Sequence, residues 1–558
     1  MSNYFNILNT GLRALKTQKK SLDTVSHNIA NANTEGYSRQ RAVHSTTDPY
    51  TVPGMNMPEG AGQVGTGVEV SEIERVRDSF IDGQINGKKQ EQGFWKKRQE
   101  GLHRIELILN EPSDKSLASN MDKFWSSLQE LSNNPEDAAV RTTVKERGLT
   151  LVDNFHSMHK QLTDYKRSLN NDVKTTVNDI NSLAKRIADL NGQIVHIKGT
   201  GKNPNDLMDK RDLLFEKLNN KVNVQGHTDE RGSLNVSIGG VGIVNQDSVN
   251  KLDTTSSGTT YEDDVIFKDT GNQANVSGGT LKGLMHVRDN ELNSEKDSNG
   301  YIGQINKLAE TFKEEFNTVH SKGYTLNNNQ GADFFEFSGS GDAAAQINVT
   351  DQIKNDVNNI AAGRFYGDYS KDSNVMNADV SNVDNIELAH NYEVEVDTGT
   401  NTYTITDTTS GTVEQSGAYA GSGQTVDLTG TIGLEFTLNG DGTAAAEMNP
   451  APGNGKNALQ MADVIKKDKL FNGNKATMLD QYKSMVSTAG VEGQRSNQMV
   501  ENNKVVINQL ENQRKSISGV SLDEEMANMV KYQQAYNAAA KLISNADRMM
   551  DSLMSILR

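Results

Sequence analysis

Apolar residues recur at helical spacing at both ends of this chain, and the middle changes period several times. Between residues 5 and 30, Leu8, Leu12, Leu15, Leu22 and Ile29 fall on one helical face, with Val25 filling in and Lys19 interrupting the stripe. From about 40 to 80 the pattern predicts extended chain and turns, as in "PGMNMPEGAGQVGTGVEV". Helical 3–4 spacing returns from roughly 90 to 220. There "NPEDAAVRTTVKERG" opens a long helix with a cap-and-Pro start. "NKVNVQG" and "GSLNVSIGGVGIVN" read as strands, and "TLKGLMHVRDNELN" and "YIGQINKLAETFKEEFNTVHSKG" as helices. Between 350 and 455, "NYEVEVDTGTNTYTITDTTSGTVEQSG" alternates apolar and polar residues with repeated hairpin turns, which predicts an inserted β-rich domain. Helix resumes near 475 and, apart from a break at "SISGVSL", runs on through Leu522, Met526, Met529, Tyr536, Ala540, Ile543, Met550 and Leu557 in a heptad-like stripe; Gln533 and Asp547 also fall on it.

Two terminal amphipathic helices each need a partner for one apolar face, and the simplest partners are one another, with the middle looped out. The expected fold is α+β and multidomain. A terminal helical pair forms a coiled coil (residues 1–50 with 521–558). A mainly helical bundle with some β spans 51–349 and 456–520, and the β-rich insert is an outer domain at 350–455. With 558 residues the chain is too long for one compact core. Aromatics at 6% imply thin cores and long helices.

Charge and cysteine content narrow the chemistry. Acidic residues exceed basic ones by 73 − 57 = 16 and no basic patch stands out, which argues against nucleic acid or an anionic membrane as partner. There are no cysteines, so disulfides, thiol nucleophiles and Cys-ligated zinc are excluded. The opening "MSNYFNILNTGLRALKTQKK" lacks a signal-peptide pattern, and no apolar run approaches a membrane span.

Candidate catalytic or metal residues are few. His156 and His159 in "HSMH" have a spacing that can hold a metal, but no third ligand is near, and they are expected as exposed bundle histidines. "EKDSNGYIGQIN" resembles a calcium loop at Glu295, Asp297, Asn299 and Gly300. Asn306 stands where such a loop needs a bidentate Glu, so an ordinary turn is expected. His320, before Gly323, reads as a cap or packing residue. Asp523, Glu524 and Glu525 complement the dipole of the last helix, and Lys16, Lys19 and Lys20 form a solvated face or subunit contacts. No phosphate loop, GxSxG elbow or HExxH motif is present. The expectation is a non-enzyme with no cofactor and no metal. A surface adhesin or hydrolase with helical stalks is the alternative from another class.

The first helix ends in "SHNIANANTEGYSRQ" (26–40). Asn28, Asn31 and Asn33 can bond nearby backbone, Gly36 permits a positive φ, and Tyr37 offers a ring to pack beside the turn. A turn of this kind also ends many ordinary helices. The whole string, however, resembles the N-terminal signature of the flagellar axial proteins (rod, hook and hook-associated proteins). "SGVSLDEEMANMVKYQQAYNAAAKLISNADRMMDSLMSILR" resembles that family's closing segment. "GTLKGLMHVRDNEL" and "FNTVHSKGYTLNNNQGADFFEF" are similar to the middle of its hook-associated members, while the segment at 350–455 matches less closely. A long helical block at 90–220 separates those members from hook and rod proteins.

The resemblance implies a structural adaptor in the extracellular flagellum, between hook and filament and required for filament assembly. It implies export without a cleaved signal peptide, escorted by a chaperone. The implied partners are further copies of the chain, hook protein on one side, and a second junction protein or the filament on the other. The assembly residues would be Leu8, Leu12, Leu15, Leu22, Ile29, Asn31, Asn33, Gly36, Tyr37, Leu522, Met526, Met529, Tyr536, Ile543, Met550 and Leu557. Such ends are expected to be loosely ordered in a monomer and to fold on assembly.

Overall fold

The computed structural model describes residues 2–48, 65–109, 113–256, 258, 260–295, 299–369, 375–380, 390–428, 431–432, 434–451, 453–471 and 474–556. Leu557 and Asp297 lie outside them, as does the whole of the segment at 53–64. Twelve α-helices are present among the described residues. They are α1 Ser2–Ala30, α2 Ser79–Leu109, α3 Leu117–Asn133, α4 Ala138–Lys198, α5 Asn205–Lys221, α6 Gly279–His286, α7 Tyr301–His320, the short α8 Ala343–Gln346 and α9 Asp351–Asn355, α10 Lys456–Asp463, α11 Met478–Ser518 and α12 Leu522–Ile556. The α+β multidomain expectation holds. The expected start of the long helix is made by Asp137, whose Oδ1 accepts the N–H groups of Ala139 (2.7 Å) and Val140 (3.3 Å).

The chain forms two compact units. One comprises Met1–His103, Tyr165–Glu291 and Gly490–Arg558; the other comprises Arg104–Asp164 and Leu292–Ala489. Three of the four boundaries therefore fall inside α2, α4 and α11, and the fourth follows Glu291.

In the first unit, α4 buries Val173, Val177, Ile180, Ala184, Ile187 and Ile194 along one seam. Two asparagines on α4 grip strand backbone, and a third holds a loop carboxylate and Arg288. Asn191 donates to Leu234 O (2.9 Å) and Gln246 O (2.8 Å) and accepts from Leu234 N (2.9 Å). Asn181 makes a matching pair with Leu252. Asn170 donates to Asp263 Oδ2 and accepts from Arg288 Nη1 at 2.7 Å. A side-chain amide presents a donor and an acceptor side by side, as a peptide does, so Asn191 and Asn181 each extend the strand ladder onto the helix. Gripped this way are a four-stranded antiparallel sheet (Val224–Thr228, Leu234–Ile238, Val241–Asn245, Ser248–Val249) and a two-stranded ribbon (Leu252–Thr254, Val265–Phe267). The helix expected at 280–293 is α6 followed by a π-helical turn, Val287–Glu291. The wider turn carries the buried Arg288 onto Asn170 and the Asp263 carbonyl.

In the second unit, Phe124 of α3 is ringed by Trp125, Phe312, Phe316, Phe334 and Phe335, with centroids 5.3–6.1 Å apart. Although aromatics are scarce in the chain, they concentrate here. Residues 364–451, where period-2 alternation predicts strands, form two antiparallel sheets. The larger runs in the order Arg364–Tyr369, Gly442–Ala451, Tyr392–Asp397, Thr402–Asp407, Thr412–Ala418. The smaller runs Met376–Val380, Leu434–Leu438, Gln424–Leu428. Their inner faces share one core that includes Val394, Val396, Ile405, Leu434, Phe436 and Leu438.

Phe124→Ala removes the centre of the aromatic core and should destabilise the second unit by about 4 kcal/mol. The chain has two tryptophans, Trp95 in the first unit and Trp125 in the second. Denaturation of Trp125-only and Trp95-only variants should show the loss in the Trp125 signal; an unmoved Trp125 transition would contradict it.

Candidate functional site

The longest-range pairing in the first unit joins the two ends of the chain. α1 and α12 run antiparallel, with Gly11 opposite Ile543 and Asn28 opposite Glu525. A Cβ on Gly11 would lie 2.8 Å from Ile543 Cγ1, so glycine is what lets the helices close there. On α12 the facing positions repeat every seven residues in two series: Met529, Tyr536, Ile543 and Met550, and between them Glu525, Tyr532, Ala539 and Ala546. Glu525, Ala539 and Ala546 are buried and the rest half-buried. On α1, Gly11, Ser21, Val25 and Asn28 are buried, and Leu8, Leu15, Leu22 and Ile29 are half-buried. The other side of α1 rests on an antiparallel ribbon, Gln40–Thr46 with Val68–Arg75. Thr17 Oγ1 donates to Val68 O (3.0 Å), and Ser21 Oγ lies 2.8 Å from His44 Nε2.

The asparagine turn closes this pair at one end. Asn31 sends both its N–H (3.1 Å) and its Nδ2 (3.0 Å) to His27 O, satisfying a terminal helix carbonyl. Thr34 N then bonds Asn31 O and Tyr37 N bonds Thr34 O. Gly36 takes φ +80°, and a Cβ there would press within 3.2 Å of Leu213. Asn28, 1% exposed, makes four hydrogen bonds. Its Oδ1 accepts from Tyr37 Oη (2.7 Å) and Gln40 N (2.9 Å), and its Nδ2 donates to Gln40 O (2.9 Å) and Glu525 Oε2 (3.0 Å). Burial first, then the carboxylates of Asp206, Asp209 and Glu525, push the Tyr37 phenol above its ordinary range, so it stays a donor to Asn28.

Arg39 fastens the next stretch to the α11–α12 elbow. Its N–H donates to Ser518 O (2.9 Å) and its Nη1 to Glu524 Oε2 (2.8 Å). Ser38 N donates to Asp209 Oδ2 (2.9 Å), whose Oδ1 accepts Arg75 Nη1 (2.9 Å). Burial raises the Asp209 pKa, against the pull of Ser38 and Arg75. Turn, elbow and α5 line a polar groove of about 760 Å³ that includes Tyr37, Arg39, Asp209 and Ser518.

Sequence reasoning and structure differ in detail here. Met529, Tyr536, Ile543 and Met550 lie on the seam, as do the half-buried Leu8, Leu15, Leu22 and Ile29. Leu12, Leu522 and Met526 are exposed, at 45%, 48% and 52%. Gln533 and Asp547 are exposed as well, because the apolar stripe drifts off the true heptad. Asn31, Gly36 and Tyr37 build the turn, and Asn33 is exposed on it. Asn28, expected to bond nearby backbone, does so and also reaches Glu525; the seam residues missed are Glu525, Tyr532, Ala539 and Ala546, since a search for apolar positions passes over small and polar ones. Their seven-residue spacing was the available signal. The expected dipole role of Glu525 is also incomplete, for it is buried and holds Asn28.

The histidines are packing groups. His156 and His159 are not exposed bundle residues: His156 is half-buried against Ile347 O (2.8 Å), and His159 is 8% exposed, 2.8 Å from Asp342 Oδ2. They are held by the hairpin and short helix that pack on α4. His320 is wholly buried, with Nδ1 donating to Ala332 O (2.5 Å) and Nε2 accepting from Ala361 N (3.0 Å). Burial holds its pKa down at about 4, so the ring is neutral. Among the described residues no group of three His, Asp or Glu could hold a metal ion. No described helix is long and apolar enough to cross a membrane.

Comparison with known proteins matches both terminal helices and the segment looped out between them to flagellar axial proteins. Residues 102–335 match the flagellar hook-associated protein FlgK helical domain, 8–37 the flagella basal body rod protein, and 512–556 the flagellar basal body rod FlgEFG protein C-terminal. Within that class the chain is similar over its whole length to the hook-associated FlgK proteins. It is 29% identical to flagellar hook-associated protein 1 of Bacillus subtilis (strain 168), over 100% of this chain and 99% of the relative. It is 28% identical to the protein of the same name from Escherichia coli (strain K12), over 99% and 100%. The solved flagellar hook junction protein FlgK from Burkholderia pseudomallei shares the fold, with TM-score 0.55 and 17% identity over 78% of this chain and 100% of that one.

Asn28→Ala strands Glu525 in the interior and should weaken the α1–α12 pair by about 3 kcal/mol. Hydrogen exchange of α12 amides reads this; unchanged protection would refute the Asn28–Glu525 lock. His320 gives a pH prediction. The unfolded ring takes up a proton below its ordinary 6.5, while the folded ring resists down to about 4. Stability from this group is complete above pH 6.5 and is lost as the pH falls toward 4, by about 3 kcal/mol in all. Comparing the slope of stability with pH for wild type and His320→Gln checks it; equal slopes would rule it out.

Proposed function

We propose that this chain is the hook-side junction subunit of the bacterial flagellum. It is a structural protein that joins hook to filament and on which the filament assembles. One observation carries the reading. The α1–α12 seam is closed, yet its flanks expose Ile7, Leu12, Met526, Val530, Leu542, Met549 and Met554 at 44–62%. A soluble helical pair gains nothing from so many large apolar residues in water; a pair that stacks against identical or related neighbours does. The expected unpartnered face is thus the flank of the pair and not the seam. Contacts between successive subunits in such a stack are heterologous, so they extend along a tube instead of closing into a dimer.

The family carries no known catalysis, and nothing in the buried histidines or the polar groove calls for it. The partners in this reading are further copies of the chain, hook protein below, and a second junction protein or filament above. The Gly- and Thr-rich segment 350–455 faces outward. In this reading a chaperone escorts the chain to export, and the absence of cysteine suits a passage during which unfolded chains must not crosslink.

A tagged copy should sit only between hook and filament. Removing residues 530–558 should abolish filament growth in cells lacking their own copy, while the Trp125 denaturation transition stays in place. A truncated chain that restores growth would overturn the reading.

A further inference from the structure

The chain has 18 methionines and no cysteine, so the thioether is its oxidation-sensitive sulfur. Five of those methionines (526, 529, 549, 550 and 554) lie in α12. They are of two kinds. Met529 and Met550 are half-buried on the seam, whereas Met526, Met549 and Met554 stand on its flanks, 52%, 58% and 62% exposed. Elsewhere Met121, Met461 and Met478 are wholly buried. Thioether oxidation follows solvent access, so among the described residues the flank sulfurs are the ones an oxidant meets first.

We propose that Met526, Met549 and Met554 form an oxidation-sensitive site that keeps peroxide-damaged subunits out of the assembly; this rests on the reading of the flanks as assembly surface. In the reaction the thioether sulfur gives up two electrons and the peroxide O–O bond breaks. One oxygen joins sulfur as S=O, and the other leaves as water with both hydrogens. Each flank methionine thereby turns from an apolar, deformable contact into a polar one with a strong acceptor. A neighbour's apolar surface cannot satisfy that acceptor, and burying it unpaired opposes docking. Sulfoxide formation is reversible by methionine sulfoxide reductases, so the exclusion is reversible too. Once subunits are stacked, the same sulfurs are covered, which confines the sensitivity to the free subunit.

The full chain, dilute and monomeric, is treated with hydrogen peroxide, and each methionine peptide is scored by mass spectrometry for one added oxygen. Met526, Met549 and Met554 should convert at least about ten-fold faster than Met121, Met461 and Met478. Added to cells lacking their own copy, the oxidised chain should lose the ability to restore filament growth. Reductase treatment should recover it, and the M526L/M549L/M554L chain should keep it through peroxide. Oxidised wild type that still restores growth, or a triple-Leu chain inactivated equally, would overturn the proposal. An untreated M526Q/M549Q/M554Q chain separates the two layers, with its Trp95 and Trp125 transitions as the folding control. If it restores growth in full, the flanks are not assembly surface and both readings fall. If it fails while oxidised wild type succeeds, only the oxidation proposal falls.

Discussion

The buried hydrogen bond from Asn28 to Glu525 spans 497 residues of sequence and ties one end of the chain to the other. Asn28 has no spare bonding capacity: both faces of its amide are used, by Tyr37, the Gln40 backbone and Glu525. A group so fully committed tolerates one geometry. Because its partners come from the turn, the following strand and α12, that geometry fixes where α1 stops, how the chain leaves it and where α12 starts. Arg39 repeats the logic one step on, using the Ser518 carbonyl and Glu524. The asparagine-rich turn is therefore a joint between both chain ends, and its elaborate composition answers that demand more than the demand of ending a helix.

The polar groups inside the first unit follow a common rule. Asn28, Asn170, Asn181 and Asn191 are each matched to backbone or to a charged side chain. Buried amides cost stability when unpaired and specify geometry when paired. Apolar seams tolerate sliding by a turn because one methylene resembles another; an amide that must meet one peptide group does not. Thin, aromatic-poor helices leave little shape-specific packing in this unit, and the asparagines supply the specificity instead. In the second unit the same task falls to interlocked rings around Phe124 and, in the two-sheet segment, to alternating Val, Ile, Leu and Phe.

Helices and strands were legible wherever a period held over several turns, as in α1, α4, α7, α12 and the hairpins of 391–417. The joint itself was half legible. Asn28, Asn31, Gly36 and Tyr37 announce a turn, but the reach of Asn28 to Glu525 stays hidden until the long-range pairing is known. Glu525 hides among three consecutive acids whose obvious role is to face the helix dipole. Ala539, Ala546 and Gly11 hide because close helix approach requires side chains too small to register in an apolar pattern. The π-turn that delivers Arg288 has no local signal, since it answers to Asn170 on another helix. The histidines misread as exposed are buried by residues 342 and 347, nearly two hundred positions away. What escaped was set by partners distant in sequence.

Half-burial along the seam decides how the terminal pair behaves. Met529, Tyr536, Ile543 and Met550 leave part of their surface in water, so each recovers only a fraction of the roughly 1.5–3 kcal/mol that full burial of such a side chain contributes. The pair is closed at the Asn28 end by satisfied hydrogen bonds and held loosely along its length by partial apolar cover. That combination leaves the ends aligned but weakly held, and in the proposed reading neighbours supply the remaining apolar cover. A fully buried seam would stabilise the lone chain and leave little reason to stack. A seam without the Asn28–Glu525 lock would present its flanks in no fixed orientation. In the proposed reading, partial burial and one fixed joint together favour the assembled state while the free chain still presents its flanks in one orientation.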